Sequence, residues 1–550
     1  MSASSKKKLR KEQEAAKLTQ RQQQEQKEAK KLKGYTIAFV SAFVAVIVVA
    51  LLIIGISAIR DSGIIERNHK TVKIGNHTLN ADQFNYYFID EFQNTYSEWQ
   101  ELYGESADMY IAWEERYDIT KPLKDQKHPT EVGKTYADYF AELALETAKE
   151  NYALYDAAMA DSNYTFTDEE KEDVEVTIQN MAFWGQLYGY SNFKDYLKMV
   201  YGKGATEESF REYLTVMTVA SSYEKFINDS WTYEDEVINK YNDEHYNEFS
   251  SFSYSSFVLM PDDFLEHAED GSHNHSEDES AKGLIKAEEA ANAIVGSETK
   301  TYEEFNAAIQ QYEVYKEKTA TQKKDTLYTA ISPKIAEWLA DEGRQVGELG
   351  VVPYTSNSVD GEGNTVETTV GYYVILFEGR NDNETKLVNV HHMMVEFQGG
   401  TEDEEGNVVY SDEEKAAAKT KAEALLAAYQ SGGATKEAFE AVVSEDKGTG
   451  NYDDAALYEN MYPGQKVSSP EFNDWCFAEG RKEGDCEIVE TEFGYHVIFF
   501  ISSSEDTYRN QMIHDELVEA DHEAWRKDLI AKVEACIIDI SKLSIDITMA

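Results

Sequence analysis

A stretch in the middle of the chain recurs about 135 residues later, and a repeat of that length requires two copies of one domain fold. Ser332-Pro-Lys-Ile-Ala-Glu-Trp338-Leu-Ala-Asp-Glu-Gly343-Arg344 matches Ser469-Pro-Glu-Phe-Asn-Asp-Trp475-Cys-Phe-Ala-Glu-Gly480-Arg481 at an offset of 137. Thr301-Tyr-Glu-Glu-Phe305 matches Thr435-Lys-Glu-Ala-Phe439 at 134, and Ser256-Phe257-Val-Leu-Met260 matches His391-His392-Met-Met-Val395 at 135. Thr368-Thr-Val-Gly-Tyr-Tyr373-Val-Ile matches Thr491-Glu-Phe-Gly-Tyr-His496-Val-Ile at 123, so the first copy carries an insertion around residues 356–366. The copies occupy residues 250–382 and 386–503.

The second copy opens on Val390-His391-His392-Met393-Met394-Val395 and closes on Thr491-Glu492-Phe493-Gly494-Tyr495-His496-Val497-Ile498. Alternation and β-branching mark both as strands. Ser411 through Glu414 spell a capping box that opens an Ala-rich helix to about Tyr429, and a second helix runs from Thr435 through Phe439. The order is strand, helix, helix, irregular segment, helix, strand. With its Thr-x-Phe-Gly-Tyr-His sextet and an earlier strand bearing His392, it resembles a parvulin-type peptidyl-prolyl isomerase domain.

That resemblance implies roles residue by residue. His392 and His496 face each other at the centre of the site, Thr491 supplies a hydroxyl, and Asp446 takes the acid-or-thiol position. His391 points to the opposite face. Met394, Phe472 and Phe477 give the apolar surface for proline. Gln465-Lys466-Val467-Ser468 stands where the family has Gln-Met, and Gly450-Asn-Tyr-Asp-Asp-Ala where it has Gly-Gly-Asp-Leu-Gly. Rotation about an X–Pro bond breaks no covalent bond, so neither nucleophile, metal nor cofactor is needed. A catalyst has only to bind the twisted amide better than the planar one. The first copy has Phe257 and Tyr373 where the second has His392 and His496, so it is read as catalytically silent.

A formal net charge of -51 excludes a nucleic-acid binder that relies on phosphate contacts. Residues 1–34 run against this balance, with eleven Lys/Arg and four Glu. They precede 24 residues, 36–59, without a charge. At about 1.5 Å per residue that run spans a bilayer core. The expectation is a basic cytoplasmic tail (1–34), an uncleaved transmembrane anchor (35–60) and an extracytoplasmic remainder. A cleaved signal peptide is the alternative, opposed by the length of the apolar run.

Residues 72–79 read as a strand, and Asn80 caps a helix, an opening similar to the chaperone domains of SurA- and PrsA-type foldases. Helical periodicity then continues to about Tyr246. Phe84, Tyr86, Tyr87, Phe88, Phe92, Tyr96, Trp99, Phe183, Trp184, Tyr188 and Tyr190 are either helical core or lining of a groove for unfolded segments. Residues 504–550 read as an amphipathic helix and a strand that complete this domain, 61–249. The fold class expected is multidomain α+β: anchor, helical domain, two parvulin-like domains with the first degenerate, and a C-terminal helix.

His267, His273 and His275 lie among acids in an aperiodic stretch, read as a solvated loop rather than a metal site. Cys476, Cys486 and Cys536 permit at most one internal bridge. The acidic loop Glu396 to Gly406 would repel phosphate, so unphosphorylated or basic segments are the expected clients. The whole reads as an isomerase and chaperone acting on unfolded or secreted polypeptides with X–Pro bonds. The competing class is a holdase whose parvulin folds only grip chains. The sequence leaves the oligomeric state open.

Overall fold

The computed structural model describes residues 63–543, apart from 104–120, 129–130, 267–274, 298, 360–363, 404–405 and 447–449. The basic tail, the apolar run 36–59, and His267 and His273 lie outside the described residues. Among the described residues no helix is long and apolar enough to cross a membrane. The chain forms two compact units, Tyr233–Asp515 and the segment up to Thr232 joined by Glu516 onwards.

After a short helix at Ile64–Asn68, the helical unit continues with β1 (Lys70–Ile74) and β2 (His77–Asn80), followed by α1 (Ala81–Tyr103), α2 (Tyr136–Ala160), α3 (Asp168–Leu187), α4 (Phe193–Tyr201) and α5 (Glu207–Ser230). Capping boxes at Thr135, Thr167 and Thr206 start α2, α3 and α5, each satisfying otherwise orphaned N–H groups. Phe84, Tyr86, Tyr87, Phe88 and Phe92 on α1 are buried against Phe140, Tyr201, Phe210 and Tyr213, so these rings are core. Among the described rings of the set Phe183, at 60% exposure, lies at the surface. Tyr96 and Trp99 have side chains outside the described residues.

In the other unit α6 (Asp235–Glu244) precedes the first copy. That copy comprises β3 (Ser251–Leu259), α7 (Glu277–Val295), α8 (Tyr302–Ile309), β4 (Thr321–Leu327), α9 (Pro333–Leu339), β5 (Leu349–Val359) and β6 (Thr365–Asn381). The second comprises β7 (Lys386–Glu396), α10 (Asp412–Ser431), α11 (Lys436–Asp446), β8 (Asp454–Met461), α12 (Pro470–Cys476), β9 (Cys486–Glu490) and β10 (Gly494–Thr507). The sheets have equivalent antiparallel orders, β4-β3-β6-β5 and β8-β7-β10-β9. Both copies also stack an arginine on a tryptophan, Arg344 on Trp338 at 3.7 Å and Arg481 on Trp475 at 3.9 Å. The insertion around 356–366 lengthens the β5–β6 hairpin.

Register corrects one equivalence. His496 pairs with Met394, and Tyr373, its counterpart, pairs with Val258. Counting back two residues puts Ser256, not Phe257, in the place of His392. Phe257 points to the other face, with its ring 4.9 Å from that of Tyr315. A one-residue slip in a strand reverses the face of every side chain, and matching apolar character alone had invited it. The first copy still lacks both imidazoles.

The chain continues through α13 (Tyr508–Ala531) to β11 (Ala535–Ile537). In the helical unit Trp525 and Leu529 pack against Leu154, Val219 and Tyr223, and β11 pairs with β1 through Val72–Ile537 and Ile74–Ala535. The unit boundary falls at Thr232, earlier than 249, because α6 belongs with the repeat pair.

The three cysteines are unbridged. Burial pushes the thiols of Cys476 and Cys486 up to about 12, while Cys536 is exposed. A thiol reagent added to native protein is expected to label Cys536 promptly and Cys476 only after unfolding. Prompt labelling of Cys476, checked by peptide mass, would contradict the packing beneath α12.

Candidate active site

Strand alternation divides β7 between two cores. Met393 and Val395 face α10 and α11, while Val388 and Val390 face α12. His392 and Met394 follow on the α12 face, and His391 turns the other way, its ring 5.2 Å from Phe439. On β10, His496, Ile498 and Phe500 share the α12 face. The register is fixed where β10 begins, at Gly494: a Cβ there would lie 2.2 Å from the carbonyl oxygen of Val395. Only glycine allows that approach, and it places His496 two residues on.

His392 Nδ1 and His496 Nδ1 lie 3.3 Å apart. His496 Nε2 is 3.1 Å from Thr491 Oγ1, and His392 Nε2 is 3.1 Å from the hydroxyl of Tyr458 on β8. Phe472 supports both rings edge-on, with centroids 5.4 Å from His392 and 5.2 Å from His496. Met394 and Phe477 are half-buried at the margin, Phe477 as the C-cap of α12. Asp446 is the last residue of α11, and its side chain lies outside the described residues. Tyr458 went unnoticed in the sequence. The available signal was its spacing: on β8 it shares a face with Ala456, which pairs with His392.

The site is nearly closed to water, with His392 at 1% exposure, His496 at 2% and Phe472 at 0%. Burial, then the neighbouring imidazole of His496, holds His392 down to about 3, and burial holds His496 down to about 4. Both rings are neutral at pH 7. Their ordinary value is 6.5, so their contribution to stability is whole above pH 6.5. It is lost as pH falls towards 4 for His496 and 3 for His392. Below pH 6.5 the urea midpoint of the Tyr233–Asp515 unit is therefore expected to fall more steeply in wild type than in a His392→Ala/His496→Ala variant, and above pH 6.5 the difference between the two is expected to be constant. Equal slopes in the two proteins would contradict neutral burial.

The described side chains offer a rigid set of neutral hydrogen-bonding groups on an apolar floor. Among the described residues no group of three or more His, Cys, Asp or Glu is placed to hold a metal ion. His275 pairs with Asp262 at 3.0 Å.

Residues 372–502 match the family model of the PPIC-type PPIase domain. No curated protein matches the chain. Among solved structures, foldase protein PrsA from Streptococcus pneumoniae is similar at 14% identity, over 45% of this chain and 76% of that one. Its TM-score is 0.18, too low for the likeness to decide anything.

Proposed function

The chain carries a parvulin-type peptidyl-prolyl isomerase domain, and from that premise we propose that it catalyses cis–trans isomerisation of X–Pro bonds and assists the folding of secreted proteins outside the cytoplasmic membrane. The observation that carries this reading is the imidazole pair, 3.3 Å apart and tied to Thr491, inside the matched residues. In the proposed assignment His392, His496 and Thr491 form the polar set, with Asp446 at the acid position. Met394, Phe472 and Phe477 provide the apolar surface. Preorganised dipoles of this kind favour a twisted amide, whose carbonyl has lost its resonance partner.

The proposed clients are unphosphorylated polypeptides, because the loop after β7 is rich in Glu and Asp. The uncharged run 36–59 is proposed as the anchor that holds the chain at the membrane. The proline-limited slow refolding phase of a soluble test protein checks the activity: full-length protein should shorten it catalytically, at substoichiometric amounts. A phase unchanged at equimolar protein would rule the isomerase out.

One observation favours the holdase instead. With Phe472 fully buried, the proline surface is not open in this state. Suppressed aggregation without any rate effect would select that reading.

A further inference from the structure

We propose that Tyr458 is a positioning residue of the imidazole pair, the hydroxyl that fixes which nitrogen of each ring carries its proton. The proposal deepens the isomerase reading and rests on it for its catalytic consequence, though not for its geometry.

The hydrogen bonds can be traced from the far end. Thr491 Oγ1 has three polar neighbours: the carbonyl oxygen of Gly494 at 3.2 Å, the backbone N–H of Phe493 at 3.2 Å, and His496 Nε2 at 3.1 Å. A hydroxyl has one proton and two lone pairs. Given to the Gly494 carbonyl, that proton leaves the oxygen free to accept from Phe493 N–H and from His496 Nε2–H, and every contact is satisfied. Given to His496, it leaves two oxygens facing each other at 3.2 Å with no proton between them. The first arrangement is the consistent one.

The rest follows ring by ring. His496 carries its proton on Nε2, so its Nδ1 is an acceptor. His392 Nδ1, 3.3 Å away, must then be the donor. That makes His392 Nε2 a buried acceptor, and the group 3.1 Å from it is the Tyr458 hydroxyl, which donates. The relay runs in one direction: Tyr458 O–H to His392, His392 to His496, His496 to Thr491, and Thr491 to the Gly494 carbonyl. No carboxylate is needed at His392 Nε2.

Tyr458 suits this role by placement. It lies opposite Val390 on β8, two residues from Ala456, which opposes His392. A long side chain there reaches the imidazole diagonally. Its ring is half-buried against the cluster beneath α12, with its centroid 5.0 Å from that of His392, so the hydroxyl is aimed rather than free to swing. Losing this donor would strand a buried nitrogen and let His392 move its proton to Nε2, turning the dipole of both rings.

Ring-nitrogen NMR on full-length protein labelled with 15N-histidine tests the proposal, with assignment by single histidine substitutions. Wild type should show His392 protonated on Nδ1 and His496 on Nε2. Tyr458→Phe should give mixed tautomers at His392 and a kcat/KM for X–Pro exchange lower by about five- to tenfold, the size of one hydrogen bond. Its thermal midpoint serves as the control for folding. A wild-type His392 protonated on Nε2, or tautomers unaltered in Tyr458→Phe, would overturn the assignment without any variant having to be active. If wild type proves inactive, the isomerase reading falls alone, because the nitrogen shifts still decide the role of Tyr458.

Discussion

Replacing both His392 and His496 by alanine is expected to lower kcat/KM for an X–Pro peptide about a hundredfold or more, the usual scale for removing preorganised dipoles from a water-excluded site. Each single substitution should come close to the same loss. The two rings hold one another at 3.3 Å, and either one alone leaves its partner with an unmet nitrogen in a buried position. Groups that act as a unit are not additive. Losses that multiply, each ring contributing its own factor, would mean that the imidazoles act separately and that the pair is not the working element. The corresponding positions of the first copy, Ser256 and Tyr373, supply the internal control. Substituting them is expected to leave the isomerase rate unchanged.

The largest effect on stability is expected at Arg509. It is 1% exposed, yet each of its three guanidinium nitrogens has a partner. Nε donates to Asn242 Oδ1 at 2.5 Å, and Nη1 donates to Ser250 Oγ at 3.2 Å and to the Asp382 carbonyl at 3.0 Å. Nη2 donates to the Tyr246 carbonyl, and the guanidinium lies 4.1 Å from the Tyr246 ring centroid. These partners come from the entry into the first copy and from its exit into the second, so one side chain from the start of α13 fastens both. Arg509→Ala would leave the buried Ser250 hydroxyl and three part-buried acceptors without this donor, at a cost of about 3–5 kcal/mol. Arg509→Lys would keep the charge but lose the planar fork, and should recover only part of this. The unfolding transition of the Tyr233–Asp515 unit, followed in urea, measures the loss. A change under about 1 kcal/mol would show that the cluster is incidental.

How much of this was readable in the chain differs from residue to residue. The capping boxes, the strand alternation and the repeated Trp–Arg pair are local signals, each decided within a few residues. They located both copies, while the facing of His392 and His496 was implied by the resemblance to a parvulin-type domain. Ser256 was missed because strand register is settled by pairing across the sheet, and similarity of Phe257 to apolar neighbours says nothing about pairing. Tyr458 was missed because its partner is 66 positions away in the chain. Arg509 carried no signal in the sequence, since its burial depends on residues over 120 positions earlier. The resemblance assigns Phe472 to the proline surface, but its complete burial follows from packing that only the folded chain brings together. Contacts that fix one residue through another distant in sequence leave no local trace.

The central claim, that the second copy isomerises X–Pro bonds through its imidazole pair, is tested most directly by cis–trans exchange in an unphosphorylated X–Pro peptide, measured by NMR with catalytic amounts of full-length protein. Wild type is predicted to accelerate exchange and the His392→Ala/His496→Ala variant is not. Exchange accelerated equally by both proteins would contradict the site assignment, and no acceleration by wild type would contradict the enzyme.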